Sequence, residues 1–161
     1  MCAIVSAGGK WPVSEENCVK GSVIILSAED GAEDTIVPRL KAVSADLENI
    51  HIVHAVKLGK GKERAFDLTR DVEQLRYTLS SIENVRLVVV DPISAYLGKT
   101  DSHRNSEVRA ALTPAIEFAE EIGACLLCVT HLNKGGQGNA LSRVTGSIAF
   151  TAAARASFLV S

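Results

Sequence analysis

The 161-residue sequence predicts an α/β domain built on a mainly parallel sheet with helices on both faces. Three observations predict it. Strand-length apolar runs alternate with helix-length periodic segments, the run Leu87 to Val90 is apolar throughout as a strand buried on both faces should be, and three strands end in polar residues of a related kind.

Taken in order, residues 1–7 read as the last turns of a helix, stopped at Gly8 and Gly9, where a left-handed C-cap costs glycine little. Residues 10–21 read as a loop headed by Trp11-Pro12. Ser22 to Ser27 is a strand. A helix follows from about Asp34 to Ser44, with Pro38 near its first turn, where a missing N–H does least harm. Ile50 to Val56 is the second strand, and residues 57–66 form a loop carrying Lys57, Lys60, Lys62 and Arg64. Leu68, Val72, Leu75 and Leu79 share one face of a helix expected from Leu68 to Ile82. Val85 to Val90 is the third strand, residues 91–105 a loop, and residues 106–122 a helix that Pro114 should kink and Gly123 should end. Ala124 to Thr130 is the fourth strand, residues 131–145 a polar loop, and Ala156 to Val160 a fifth strand.

The length suits one domain over residues 1–161, burying roughly 70% of the unfolded chain's surface. Seventeen Lys and Arg against 19 Asp and Glu give a formal charge of −2, which excludes a globally basic coat for nucleic acid or anionic lipid. A polyanion must be met by a local site. No apolar run approaches the ~20 residues of a membrane helix, and no secretion signal follows Met1, so a soluble, cytoplasmic protein with no membrane partner is expected. Cys125 and Cys128 form a C-x-x-C, but residues three apart on a strand face opposite sides, and Cys2 with Cys18 supplies no matching ligand pair. All four are read as reduced thiols, with Cys125 and Cys128 as small buried hydrophobes.

Ligands bind such sheets at the C-terminal ends of the strands, so the chemistry is sought there. Val23 to Leu26 is followed by Ser27-Ala28-Glu29-Asp30, Leu87 to Val90 by Asp91-Pro92, and Leu126 to Val129 by Thr130-His131-Leu132-Asn133-Lys134. Four apolar residues and then Asp at a strand tip are the Walker B pattern, whose carboxylate can hold a hydrated Mg²⁺ beside nucleotide phosphates. A buried strand ending in Asp-Pro is also an ordinary turn signal. Glu29 could take a proton from a water attacking a phosphate, and His131 could sense that phosphate by a hydrogen bond. Alternatively Glu29 is a helix-entry acid and His131 a surface histidine. Their shared place at one sheet edge favours a phosphate site.

Gly21 to Asp30 with Thr35 to Leu40, then Leu87 to Pro92, Thr130 to Lys134, Arg143 to Ser147 and Ala153 to Arg155 resemble the RecA-like ATPases of the RepA hexameric replicative helicase type, found in phage, plasmids and mobile elements. The resemblance spans nearly the whole chain. It implies ATP and Mg²⁺ as cofactors, Glu29 as catalytic glutamate, Asp91 as the acid that holds Mg²⁺ through water, and His131 as γ-phosphate sensor. It implies that the segment Asn133 to Arg143, with Asn133, Lys134, Gln137, Asn139 and Arg143, contacts single-stranded DNA inside a homo-oligomeric ring. Arg143 and Ser147 would help to shape that loop or the subunit interface.

A phosphate cradle G-x-x-x-x-G-K-[ST] is needed for such chemistry, and the sequence contains none. Gly9-Lys10 has Ile4 where the first glycine is required, and Gly61-Lys62 has Val56 there. The first strand, its loop and most of the first helix are expected to precede Met1, and the strands bearing an arginine or lysine finger to follow Ser161. On that reading the chain is a partial core, inactive alone, since loss of a finger alone can cost ~10³–10⁵ in rate. The sheet should then show a hydrophobic gap or edge, closed by altered strand order, self-association or swapping. The alternative is a non-catalytic α/β module that oligomerises or binds a partner. Lys57 to Arg64 could meet nucleic-acid phosphates or be simply solvated. His51, His54, His103 and Asp101 read as structural or surface residues.

Overall fold

The computed structural model describes residues 1–53, 56–57, 63–101, 104–131 and 149–160. The first helix, α1 (Cys2–Ala7), closes on Gly8 in the left-handed region at φ 69°, as its sequence requires. Strand β1 (Ser22–Ser27) is buried along its whole length. A π-helical turn over Ala32–Ile36 then leads into α2 (Val37–Ala42), so the single helix expected from Asp34 to Ser44 is split in two. Pro38 explains the break. It has no N–H to give the carbonyl of Asp34, and the turn before it is closed instead by the amides of Thr35 and Ile36, which both donate to the carbonyl of Gly31.

Strand β2 (Ile50–Val53) is shorter than expected. The stretch read as a loop contains an antiparallel pairing of β3 (Val56–Lys57) with β4 (Glu63–Arg64). Helix α3 (Val72–Leu79) starts four residues later than its apolar spacing suggests. The backbone N–H groups before it are taken by carboxylates: Thr69 N donates to Asp67 Oδ1 at 3.0 Å and Asp67 N to Asp71 Oδ2 at 2.8 Å, a local alternative to helical bonding. Strand β5 (Val85–Asp91) carries the third apolar run. A short 3₁₀ turn (Ile93–Tyr96) and then α4 (Asn105–Glu121) follow, the helix passing through Pro114. Strand β6 (Cys125–Cys128) and α5 (Ala149–Ala153) complete the described elements.

The sheet is four-stranded and all-parallel in the order β2-β1-β5-β6, as the alternating pattern implies. Alternate side chains feed two cores. Ile24, Leu26, Val88 and Val90 meet α3 and α4 on one face; Val23, Ile25, Leu87 and Val89 meet α1 and α2 on the other. This is the two-faced burial that the unbroken apolar strands predict. Among the described residues no helix is long and apolar enough to cross a membrane.

Two further expectations fail. Ala156 to Val160 form no strand: no strand pairs with them, and Phe158, Leu159 and Val160 are exposed. Cys125 is exposed rather than buried, β6 pairing among the described residues with β5 on one side only, whereas Cys128 is exposed by surface area and yet burial pushes its thiol up to about 11. They remain free and on opposite faces, since Leu126 packs into one core and Leu127 into the other. His54, His103, Lys60, Lys62, the segment Asn133 to Arg143 with Lys134, Gln137 and Asn139, and Ser147 lie outside the described residues.

Candidate functional site

Parallel pairing brings three strand tips to one edge. Ser27 is in register with Asp91, and the amide of Ala28 donates to the carbonyl of Asp91 at 3.0 Å, so Glu29 leaves β1 beside the acid that ends β5. On the other side, the amide of Val129 donates to the carbonyl of Val90 at 2.9 Å and the amide of Ile93 to the carbonyl of Val129 at 2.8 Å. These two bonds carry the ladder past the end of β6 and fix the chain leading to His131. The imidazole Nε2 of His131 then lies 3.4 Å from Glu29 Oε2. Glu29, Asp91 and His131, singled out from three separate segments, thus share one edge, with Glu29 and His131 in contact across it.

Their surroundings differ. Glu29 and His131 are exposed, whereas Asp91 is half-buried. Burial pushes the Asp91 carboxyl above the usual carboxylate range; the charges of Glu29 and Asp30 push the same way, and His131 opposes them. Among the described residues no hydrogen bond reaches the Asp91 carboxylate. An anion that is partly desolvated, crowded by like charge and unbonded is suited to a cation. No three His, Cys, Asp or Glu side chains among the described residues converge to hold a metal by themselves. The donor set therefore fits a hydrated Mg²⁺ held by one carboxylate through water, the hard-cation habit in phosphate sites.

Sequence reasoning missed the next layer. Asp30 Oδ2 accepts from Arg39 Nη1 at 2.8 Å, and Ser27 Oγ accepts from the amide of Asp30 at 3.3 Å, which pins the turn carrying Glu29. Arg39 lies nine residues beyond Asp30, across a helix split by Pro38, and a straight-helix reading does not bring the two together. Arg64, grouped by sequence with the basic loop, is instead a bidentate partner of Asp71. It is therefore withdrawn from any phosphate patch. The basic loop's lysine side chains lie outside what the structure describes.

A hollow of about 450 Å³ lies away from the strand tips, between the C-terminal ends of α3 and α4 and lined by Arg76, Leu79, Phe118 and Glu121. A family model described as AAA domain matches residues 1–137, a span that runs from α1 through all four sheet strands to beyond His131. No curated protein matches the chain.

Proposed function

Because this chain belongs to the AAA domain family, ATPases of RecA-like fold, we propose that it acts in ATP hydrolysis coupled to single-stranded DNA translocation, as a unit of a RepA-type replicative helicase. The observation that supports this reading is the meeting of Glu29, Asp91 and His131 at one edge, with the Glu29 and His131 side chains 3.4 Å apart.

In this reading Asp91 holds Mg²⁺ through water, and the bound cation would neutralise phosphate charge. Glu29, exposed and within reach of solvent, orients a water and accepts its proton. His131 donates a hydrogen bond to the terminal phosphate and, in doing so, leaves Glu29. Two residues further along, Asn133 begins the segment proposed to contact DNA, with Lys134, Gln137, Asn139 and Arg143, so phosphate sensing and DNA contact share one stretch of backbone. Single-stranded DNA and further copies of the chain in a ring are the partners this function needs.

The 161 residues contain no G-x-x-x-x-G-K-[ST]. The chain's own side chains therefore supply the metal, water and sensing groups, and the backbone cradle for the phosphates is not among them. Binding without turnover is expected of this polypeptide alone. Titration with fluorescent ATP should show Mg²⁺-dependent binding that Asp91→Ala weakens at least about tenfold. Absence of binding, or binding indifferent to Asp91, would favour a non-catalytic α/β module instead.

A further inference from the structure

We infer that Tyr96 is a positioning residue of the strand-tip site, its buried hydroxyl donating through one water to the Asp91 carboxylate and so fixing which carboxylate oxygen is left for a cation's hydration shell. The inference rests on the reading of Asp91 as the group that holds a hydrated cation. Buried hydroxyls are ordinarily bonded. Ser6 and Ser22 follow that rule, donating to the carbonyls of Ala3 at 3.2 Å and Glu83 at 2.8 Å. Tyr96 is 2% exposed, and among the described residues its hydroxyl is the one buried side-chain polar atom without a partner. A phenylalanine would fill the same space without burying an unbonded oxygen.

The turn that carries Tyr96 is fixed at both ends. The amide of Ile93 donates to the carbonyl of Val129 at 2.8 Å, which ties its start to the chain leaving β6, and the carbonyl of Tyr96 accepts from the amide of Leu68 at 2.8 Å. The ring packs beside Phe66, with centroids 6.4 Å apart, in the core that faces α3 and α4. Asp91 lies five residues earlier, at the end of β5. Burial and then the charge of Asp91 push the phenol up to about 12, so it is a neutral donor at neutral pH and lies within the field of that carboxylate.

A buried donor and a half-buried acceptor, neither bonded to a described residue, thus share one end of the sheet. The two do not bond directly. A water that accepts from the phenol and donates to one carboxylate oxygen satisfies both, and it leaves the other oxygen for the water of the cation. The carboxylate is then held in one rotation.

The test begins without nucleotide. Tyr77 and Tyr96 are the chain's two tyrosines, so Tyr77→Phe leaves Tyr96 as the source of the tyrosine Raman doublet, which reads the hydrogen bonding of the phenol. A bonded donor is expected, and adding Asp91→Ala should alter its signature. An unbonded phenol, or a signature indifferent to Asp91, overturns the inference. Fluorescent ATP titrated at stepped Mg²⁺ concentrations gives the second reading. Tyr96→Phe keeps the ring and should not lower Tm without ligand, while raising the Mg²⁺ needed for half-maximal binding about tenfold. Binding weakened by Asp91→Ala and unchanged by Tyr96→Phe overturns the inference and leaves the ATP-site reading standing. Absence of Mg²⁺-dependent binding in the parent chain overturns the ATP-site reading instead, and the Raman comparison then decides the bridge by itself.

Discussion

Two acidic clusters in this molecule are built in opposite ways. Asp67 and Asp71, in the loop entering α3, are buried and fully engaged. Asp67 Oδ1 accepts from Thr69 N at 3.0 Å and Thr69 Oγ1 at 2.6 Å, and Asp67 Oδ2 pairs with Arg70 at 3.1 Å. Asp71 takes the Arg64 guanidinium and the Asp67 amide. Gly98, at φ 58°, lies so close beneath Asp67 that a Cβ there would fall 2.4 Å from Oδ2. The amide of Leu68 donates to the carbonyl of Tyr96 at 2.8 Å, so this cluster braces the turn that follows Asp91. At the strand tips, by contrast, Glu29 and Asp91 have one histidine between them. The first cluster spends its carboxylates on the fold, and the second leaves them largely unengaged, as the proposed function requires. Burial of an acid, taken alone, therefore does not distinguish structure from function; the accounting of its oxygens does.

The contrast can be broken most forcefully at Asp71. Asp71→Ala leaves the Arg64 guanidinium without its partner and should cost roughly 2–4 kcal/mol, lowering Tm by roughly 5–15 °C in a chain of this size. Equal stability of the variant and the parent chain would show that the clamp is incidental. The same pair predicts a pH dependence. The hydrogen bond from Arg64 holds the Asp71 carboxyl below its ordinary value of 3.8. Its contribution is complete above that value and is lost as pH falls through the lowered one. In urea titrations Asp71→Asn should flatten this acid limb of the stability curve.

At the strand tips the expected sign reverses. Asp91→Asn removes an anion that burial, Glu29 and Asp30 all disfavour, so without ligand it should raise Tm at neutral pH by about 1–3 °C. A fall would mean that Asp91 is engaged like Asp71. The smallest effect belongs to Glu29→Gln. It breaks an exposed contact at 3.4 Å, and Tm should move by less than about 2 °C, since surface pairs contribute little.

Much of this was legible in the sequence because apolar runs report burial directly. Val23 to Leu26 and Leu87 to Val90 read as buried strands, and the residues after them read as site candidates because a parallel sheet leaves its strand tips on one edge. Element boundaries were less legible where side chains compete for the backbone, as at Asp67 and Asp71 before α3, or where a proline splits a helix, as at Pro38. Pairing partners were illegible for a different reason. The exposure of Cys125 depends on which strand lies beside β6, and nothing within Ala124 to Val129 specifies a neighbour. For the same reason Phe158 to Val160 have strand character and, among the described residues, no strand to join. The partnership of Arg64 with Asp71 was hidden because neighbouring lysines gave that segment the look of a basic patch.

The claim that Asp91 is held in reserve for a cation and phosphate is tested most directly by melting the parent chain and Asp91→Asn side by side, with and without Mg²⁺ and ATP. The account predicts that Mg²⁺ with ATP raises the Tm of the parent chain, as a ligand of the native state must, and leaves Asp91→Asn unmoved. Equal shifts in the two proteins, or no shift in either, would contradict it.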